Sequence, residues 1–253
     1  MRKVVDKINR ILNALGLHVI SARGWRDIQR NALQQEEMHQ NERLFNIDFQ
    51  ILSLINSGEK QTQGNWFSDF VTARDRSMSA FRQDLMALAM TNFKRSGVFI
   101  EVGACDGLAT SNSFLLEKYF NWHGLLVEPA RIWHKELISN RSADLDFRCA
   151  WKNDGDKIEF IEKSSPGRSG IAETASDVTS TKARYEVETV TLRKLLGEKP
   201  YLQGVDFLSV DTEGSEYEVL LGFPFELCKP RFICVEHNFE NEKRSRIRRL
   251  LQD

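Results

Sequence analysis

The chain has 253 residues, which at ~100–200 residues per domain makes one large domain or a core with an appendage. With 41% hydrophobic, 28% charged and 10% aromatic residues, 15 glycines and 5 prolines, the composition excludes a collagen-like or wholly disordered chain. Its 35 basic and 36 acidic residues leave a formal charge of −1; that gives no global field to gather nucleic acid, the basic patches are short, and no nucleic-acid partner is expected.

At the N-terminus, Val4, Val5, Ile8, Ile11, Leu12 and Leu15 recur at helical spacing, with Arg2, Lys3, Lys7 and Arg10 on other faces and Gly16 as a stop. This basic amphipathic helix over residues 1–16 suits packing on its own domain or on a partner subunit, or peripheral contact with an anionic membrane surface. A second helical pattern runs from Gln34 to Asn56, with Leu44, Ile47, Ile51, Leu54 and Ile55 on one side. It supports about two or three heptads, enough to allow a homo-oligomer through paired helices without requiring one. The segment GEKQTQGN, residues 58–65, has no apolar residue and reads as a loop. A third helix is expected from Ser77 to Lys94, with Phe81, Leu85, Leu88 and Phe93 on one side and Ser96-Gly97 ending it.

From Val98 the period changes. The runs VFIEVGA, GLLVEP, LDFRCA, KIEFIE, VETVTL, DFLSVD and RFICVE are short, apolar or alternating, and rich in Val, Ile and Phe, so they read as strands. Helical patterns lie between several of them, at Asn112 to Phe120, Ile132 to Asn140 and Tyr217 to Gly222. Such alternation predicts an α/β fold with a mostly parallel sheet covered by helices on both faces. The charge balance also changes sign at this point: residues 1–95 carry 14 basic against 10 acidic residues, and residues 96–253 carry 21 against 26. We therefore divide the chain into a helical N-terminal region, 1–95, and an α/β domain, 96–253. Cys105, Cys149, Cys228 and Cys234 are too few and too scattered to staple a secreted domain, and none forms a Cys-x-x-Cys pair, so they read as reduced thiols. No stretch approaches ~18 uninterrupted apolar residues. The N-terminus also lacks a signal peptide's apolar core and small-residue cleavage site, so a cytoplasmic protein is expected, membrane-associated only through residues 1–16.

The first of these strands ends in Glu101-Val102-Gly103-Ala104-Cys105-Asp106-Gly107, with a helix following. In a strand-loop-helix unit the glycines let a nucleotide-like ligand approach the backbone, and the helix start offers N–H groups. This loop departs from the dinucleotide fingerprint: Cys105 takes the middle glycine position, and Asp106 places a negative charge where a pyrophosphate would lie. That charge suits a ligand with an amino group, such as S-adenosylmethionine. The second strand ends in Glu128, 21 residues after Gly107, where a carboxylate can accept hydrogen bonds from both ribose hydroxyls, and Pro129 cuts the strand off. Small Cys149 and Ala150 at the third strand end leave room for an adenine ring. Asp211, Glu213 and Glu216 follow the run DFLSV, and Glu236, His237 and Asn238 follow another, so acids, a histidine and an amide should meet at the strand ends across the cofactor crevice.

The pattern EVGACDG, then SNSFLLEKYFNWHGLLVEP, Asn140-Arg141, FLSVDTEGSEYEVLLGF and VEHN resembles the FkbM family of S-adenosylmethionine-dependent methyltransferases over residues 83–240. The resemblance implies a class I methyltransferase fold, which is Rossmann-like, and a cofactor pocket lined by Glu101, Gly103, Asp106, Gly107, Asn112 and Glu128. It also implies methyl transfer to a hydroxyl of a sugar, glycolipid or other natural product. The residue reading adds Ala104, Pro129, Cys149 and Ala150 to the pocket. Domains of this kind usually finish with a helix and two antiparallel strands, whereas this sequence ends at Asp253 in the helix-like IRRLLQD. The expectation is a truncated chain or a sheet closed differently.

A hydroxyl oxygen is a poor nucleophile, so its proton must be removed or its pKa lowered. Asp211, Glu213 and His237 are the candidate bases. Alternatively, a divalent cation such as magnesium or manganese on Asp211, Glu236 and Asn238 could polarise the hydroxyl. Two rival functions share parts of the pattern: an NAD-dependent oxidoreductase, and a non-catalytic binding or scaffold protein that presents residues 1–95 to a partner. The polar loop SSPGRSGIAETASD, residues 164–177, can cover or select the acceptor, or merely decorate the surface.

Overall fold

The computed structural model describes residues 38–53, 55, 66–174, 180–238 and 240–252. The basic helix expected over residues 1–16 and the loop at 58–65 lie outside them. The chain divides into two compact units, 1–49 and 50–253, and every element that builds the site belongs to the second. Residues 38–53 form a helix, α1. No helix among the described residues is long and apolar enough to cross a membrane.

Five strands, β1 (Val98–Val102), β2 (His123–Val127), β3 (Asp144–Asp146), β8 (Phe207–Val210) and β9 (Phe232–Val235), form a wholly parallel sheet in the order β3-β2-β1-β8-β9. β1 and β8 are buried along their whole length, which explains why these strands read as apolar runs rather than alternating ones. On one face Ile100, Val102, Leu125 and Leu208 pack with Leu192, Leu195 and Leu196 of helix α6 (Leu192–Glu198), Val219 and Leu220 of α7 (Glu216–Leu221) and Ile247 of α8 (Asn241–Gln252). Helices α3 (Gln83–Met90), α4 (Phe114–Phe120) and α5 (His134–Asn140) bury Leu85, Leu88, Leu115, Leu116 and Leu137 elsewhere in the core, and α2 (Trp66–Arg74) precedes them. The α/β, Rossmann-like expectation is met by this sheet.

Three expectations need correction. KIEFIE and VETVTL do not enter the parallel sheet: β5 (Lys157–Lys163) and β7 (Thr181–Val190) pair antiparallel to each other in a second sheet, β4-β7-β5-β6, with β6 at Gly170–Ile171. LDFRCA is not one strand either. Asp146 accepts hydrogen bonds from the Arg148 backbone N–H at 2.9 Å and from its guanidinium at 2.6 Å, and this turn sends β4 (Cys149–Ala150) to β7 in the second sheet. The third helix is also shorter than its pattern. Arg82 adopts a left-handed φ of 61° immediately before α3, so the helix begins at Gln83 and Phe81 is left 54% exposed.

Candidate active site at the strand ends

Register fixes the site. Val102 pairs with Val127 and with Val210, and Val210 pairs with Val235, so the next residues, Gly103, Glu128, Asp211 and Glu236, form one row along the C-terminal edge of the sheet. The backbone continues its ladder through this row: Gly103 N donates to Val127 O at 2.9 Å, Asp211 N to Val102 O at 3.0 Å and Glu236 N to Val210 O at 3.0 Å. Gly103 has φ +86°, and a Cβ there would lie 1.7 Å from the Asp211 carbonyl oxygen, so only glycine fits this crossing.

Three cavities meet along the row. The first, about 40 Å³, is lined by Gly103, Glu128, Pro129, Cys149, Ala150 and, from the second sheet, Phe160 and Ile171. A second, about 130 Å³, shares Gly103, Cys105, Gly167, Asp211 and Glu213 with it and adds Glu101, Ala104 and Asn112. The third, about 310 Å³, is walled by Asp211, Glu236, His237 and Asn238 on the sheet side and by Ala80, Phe81 and Gln83 opposite in sequence. Asp211 lines all three.

Glu128 is buried with its two oxygens on separate donors, Oε2 on Cys105 N and Oε1 on Ala130 N, both at 2.7 Å. Burial pushes its carboxyl up to about 7 despite those two hydrogen bonds. Each oxygen keeps a lone pair for a further donor. Trp133, which lines the same cavity, has a buried indole N–H without a hydrogen-bond partner. Nothing in the sequence singled out this residue, although it stands only five positions after Glu128.

The loop after β1 is held by buried polar side chains. Glu101, which lines the second cavity, accepts from Asn112 N at 2.7 Å, Ser111 Oγ at 2.9 Å and Ser113 Oγ, so both of its oxygens are engaged with the loop. Arg141, with a fully buried side chain, donates to Glu117 at 2.8 Å, Gly107 O at 3.1 Å and Ser113 Oγ at 2.8 Å, and lies 3.7 Å from Glu101. Asn140 donates to Asp106 O at 2.9 Å, so the Asn140-Arg141 pair clamps the loop. At the start of α4, Ser111 Oγ accepts from Ser113 N at 3.3 Å and from Phe114 N at 3.1 Å.

Asp106 and Gly107 line none of the three cavities. One Asp106 oxygen accepts from Leu108 N and Ala109 N, both at 2.9 Å, and Gly107, at φ +73°, is packed against Leu137 and Arg141. Both residues shape the loop in this structure.

At the other end of the row, Glu216 Oε1 accepts from Thr212 N and Gly214 N, both at 3.0 Å, and Oε2 lies 2.6 Å from Lys243 Nζ. This fixes the DTEGSE turn, in which Glu213 is left-handed at φ 56°. Asp211, Glu216 and Glu236 bring oxygens within 4.8 Å of one another. Burial raises the Asp211 carboxyl, and Glu216 and Glu101 raise it further, while a hydrogen bond with Glu236 opposes them. Burial and the Asp211 charge push Glu236 up to about 8. Burial and the charges of Asp211 and Glu216 raise Glu213 as well. Asn238 is exposed and donates to Glu236 Oε2 at 3.2 Å. All four cysteines are unpaired.

A parallel α/β sheet with a largely apolar cavity, a buried carboxylate and an acidic pair at its strand ends defines a Rossmann-like α/β domain with a crevice at the carboxyl ends of its strands. Within that class, the sequence pattern of the Methyltransferase FkbM domain matches residues 101–253, more than half of the chain, and the protein belongs to that family of methyltransferases. This assignment selects methyl transfer over the oxidoreductase reading. No curated protein and no solved structure matches the chain.

Proposed function

We propose that this methyltransferase uses S-adenosylmethionine and methylates a hydroxyl oxygen of a sugar, glycolipid or other natural product. The observation that carries the reading is the position of Asp211, the one carboxylate on which the two inner cavities and the outer, polar cavity converge.

The inner cavities suit the cofactor chemically. Glu128 can accept ribose hydroxyls, the unpartnered Trp133 N–H can donate to a ring nitrogen, and Phe160, Ile171, Cys149 and Ala150 offer an apolar slot to an adenine. The first cavity, about 40 Å³, shares Gly103, Cys105, Gly167, Asp211 and Glu213 with the second, about 130 Å³, so the two together form the candidate cofactor slot. Glu101, Ala104, Asn112 and Glu213 line the second cavity, on the side where an amino-acid moiety would lie. S-adenosylmethionine supplies an electrophilic methyl group on a sulfonium.

The chain's own part is to position the acceptor and take its proton. Asp211 and Glu236 share a hydrogen bond, and like-charge proximity keeps a proton on the pair near neutral pH. Loss of that shared proton frees Asp211 to serve as general base toward a hydroxyl in the outer cavity. Glu216, held by two amides and Lys243, orients the turn that carries Asp211. Glu213 and His237 line the cavities on either side of Asp211 and are the secondary candidates.

A divalent cation on Asp211, Glu236 and Asn238 is the second reading, favoured by the close approach of the carboxylates; Lys243 on Glu216 already supplies positive charge beside them. Mass spectrometry of candidate glycans and glycolipids incubated with methyl-labelled cofactor tests the function. One added methyl on oxygen, formed equally in the presence of a chelator, is the expected result. Loss in chelator with recovery in magnesium would select the cation, and absence of transfer to every hydroxyl acceptor would contradict the reading.

A further inference from the structure

The outer cavity has a wall that the family domain does not supply. Residues 77–83 precede the matched region, which begins at residue 101, yet Ala80, Phe81 and Gln83 line the same cavity as the acidic pair. This wall is built rather than loose. Ser79 bridges to Thr110 of the β1 loop, and its hydroxyl donates to Ser111 O at 3.2 Å. Fully buried Asp84 accepts from Ser77 Oγ at 2.7 Å and Met78 N at 3.2 Å, and Gln83 Oε1 accepts from Phe81 N at 2.9 Å. The left-handed Arg82 then turns Phe81 out of the helical core pattern, with 54% of its surface exposed at a cavity of about 310 Å³.

The chemistry of the lining is specific. Asn112 is only 5% exposed; its Nδ2 donates to Ser209 Oγ at 3.0 Å, and its Oδ1 is buried without a partner. An unpaired buried carbonyl in a cavity wall calls for a donor from a ligand. Asp211 and Glu236 add acceptors and negative charge, and no lysine or arginine is among the described residues that line the cavity. An anionic acceptor group would meet repulsion from both carboxylates, with His237 the one lining side chain among the described residues able to carry a positive charge. An exposed aromatic face beside several acceptors fits a ring with one apolar face and a rim of hydroxyls.

We infer that residues 80–83 select the acceptor: Phe81 stacks on the apolar face of a non-anionic sugar ring whose hydroxyls donate to Asn112 Oδ1 and Glu236. This rests on the methyltransferase reading above and narrows its substrate class. It makes Phe81 a specificity-determining residue outside the matched domain, and it places uronic acids and sugar phosphates among the rejected ligands.

The test is binding rather than turnover, on the full chain. Saturation-transfer NMR would be recorded with methyl glucoside, methyl mannoside, methyl galactoside, methyl rhamnoside and methyl glucuronide, in parallel with calorimetry of S-adenosylhomocysteine. At least one neutral glycoside should bind and the glucuronide should not. Phe81→Ala should weaken the neutral glycoside at least tenfold, Phe81→Tyr should restore it, and the nucleoside affinity should stay within twofold in both variants. Binding of the glucuronide as well as the neutral sugars, equal glycoside binding by Phe81→Ala, or no glycoside binding by a protein that still binds S-adenosylhomocysteine would each overturn the inference and leave the methyltransferase reading standing. Failure of the wild-type chain to bind the nucleoside would overturn both.

Discussion

Replacing Arg141 with methionine should lower the free energy of unfolding by about 3–5 kcal/mol, the usual cost of removing one member of a buried ion pair. The guanidinium is fully buried between Glu117 at 2.8 Å and Glu101 at 3.7 Å, and it also holds Gly107 O and Ser113 Oγ. Burial by itself would raise the Glu117 carboxyl, yet the neighbouring Arg141 keeps it below the ordinary range. Methionine preserves much of the stem volume, leaves buried Glu101 without its cation and leaves Glu117 with Lys118 alone, 3.0 Å away. With ~2–4 °C per kcal/mol for a domain of this size, the melting temperature should fall by about 6–20 °C in a thermal melt. A fall of less than ~2 °C would mean that the network is hydrated and that the loop is held by Asn140 and the backbone instead.

The second large effect falls on turnover. Asp211→Asn keeps the shape of the side chain and removes its charge, and it should reduce kcat by ~10²–10⁴-fold, the range for loss of a general base. The nucleoside affinity should change far less, because Glu128 and the apolar slot remain. The pH profile separates this role from a packing defect. The wild-type pair must lose its shared proton to act, and Glu236 is pushed up to about 8, so the rate should climb with pH and level off above ~8. In the Asp211→Asn protein the charge that raises Glu236 is gone, and the residual rate should level off at lower pH. An unchanged midpoint with an unchanged kcat would move the base to Glu213 or His237.

The parts of this site that were legible in the sequence are those carried by strand ends. Apolar runs mark β1, β2, β8 and β9, of which β1 and β8 are buried throughout and β9 only partly, and the polar residue after each run is its C-terminal end, so Glu128, Asp211 and Glu236 could be placed in one row without coordinates. What periodicity could not show was the partner of each strand. KIEFIE and VETVTL alternate well enough to be strands, but alternation says nothing about whether the neighbour is parallel, and they form the antiparallel sheet that closes the first cavity.

Phe81 failed for a different reason. Its spacing to Leu85 and Leu88 is helical, and only the left-handed Arg82, a conformation that arginine seldom adopts, removes it from the core. Asp106 was read into the pocket from its charge and from the family resemblance, and in the structure one of its oxygens accepts from the amides of Leu108 and Ala109. Short-range side-chain-to-backbone bonds of this kind compete with ligand contacts and leave no trace in residue type. Trp133 depends on two sheets meeting, a relation that one sequence does not display.

The central claim is that the row Gly103, Glu128 and Asp211 encloses an adenosyl cofactor, and isothermal titration with S-adenosylhomocysteine at two pH values tests it most directly. Without ligand the Glu128 carboxyl is raised from 4.5 to about 7, so part of the protein holds a proton there at pH 6. Ribose hydroxyls donate to the ionised form and favour it. Binding should therefore release a proton at pH 6 and tighten as the pH rises to 8, and Glu128→Gln should abolish both the release and the pH dependence. One site with this linkage, and no heat with NAD, is the predicted result. Binding of NAD with no response to S-adenosylhomocysteine would contradict the account.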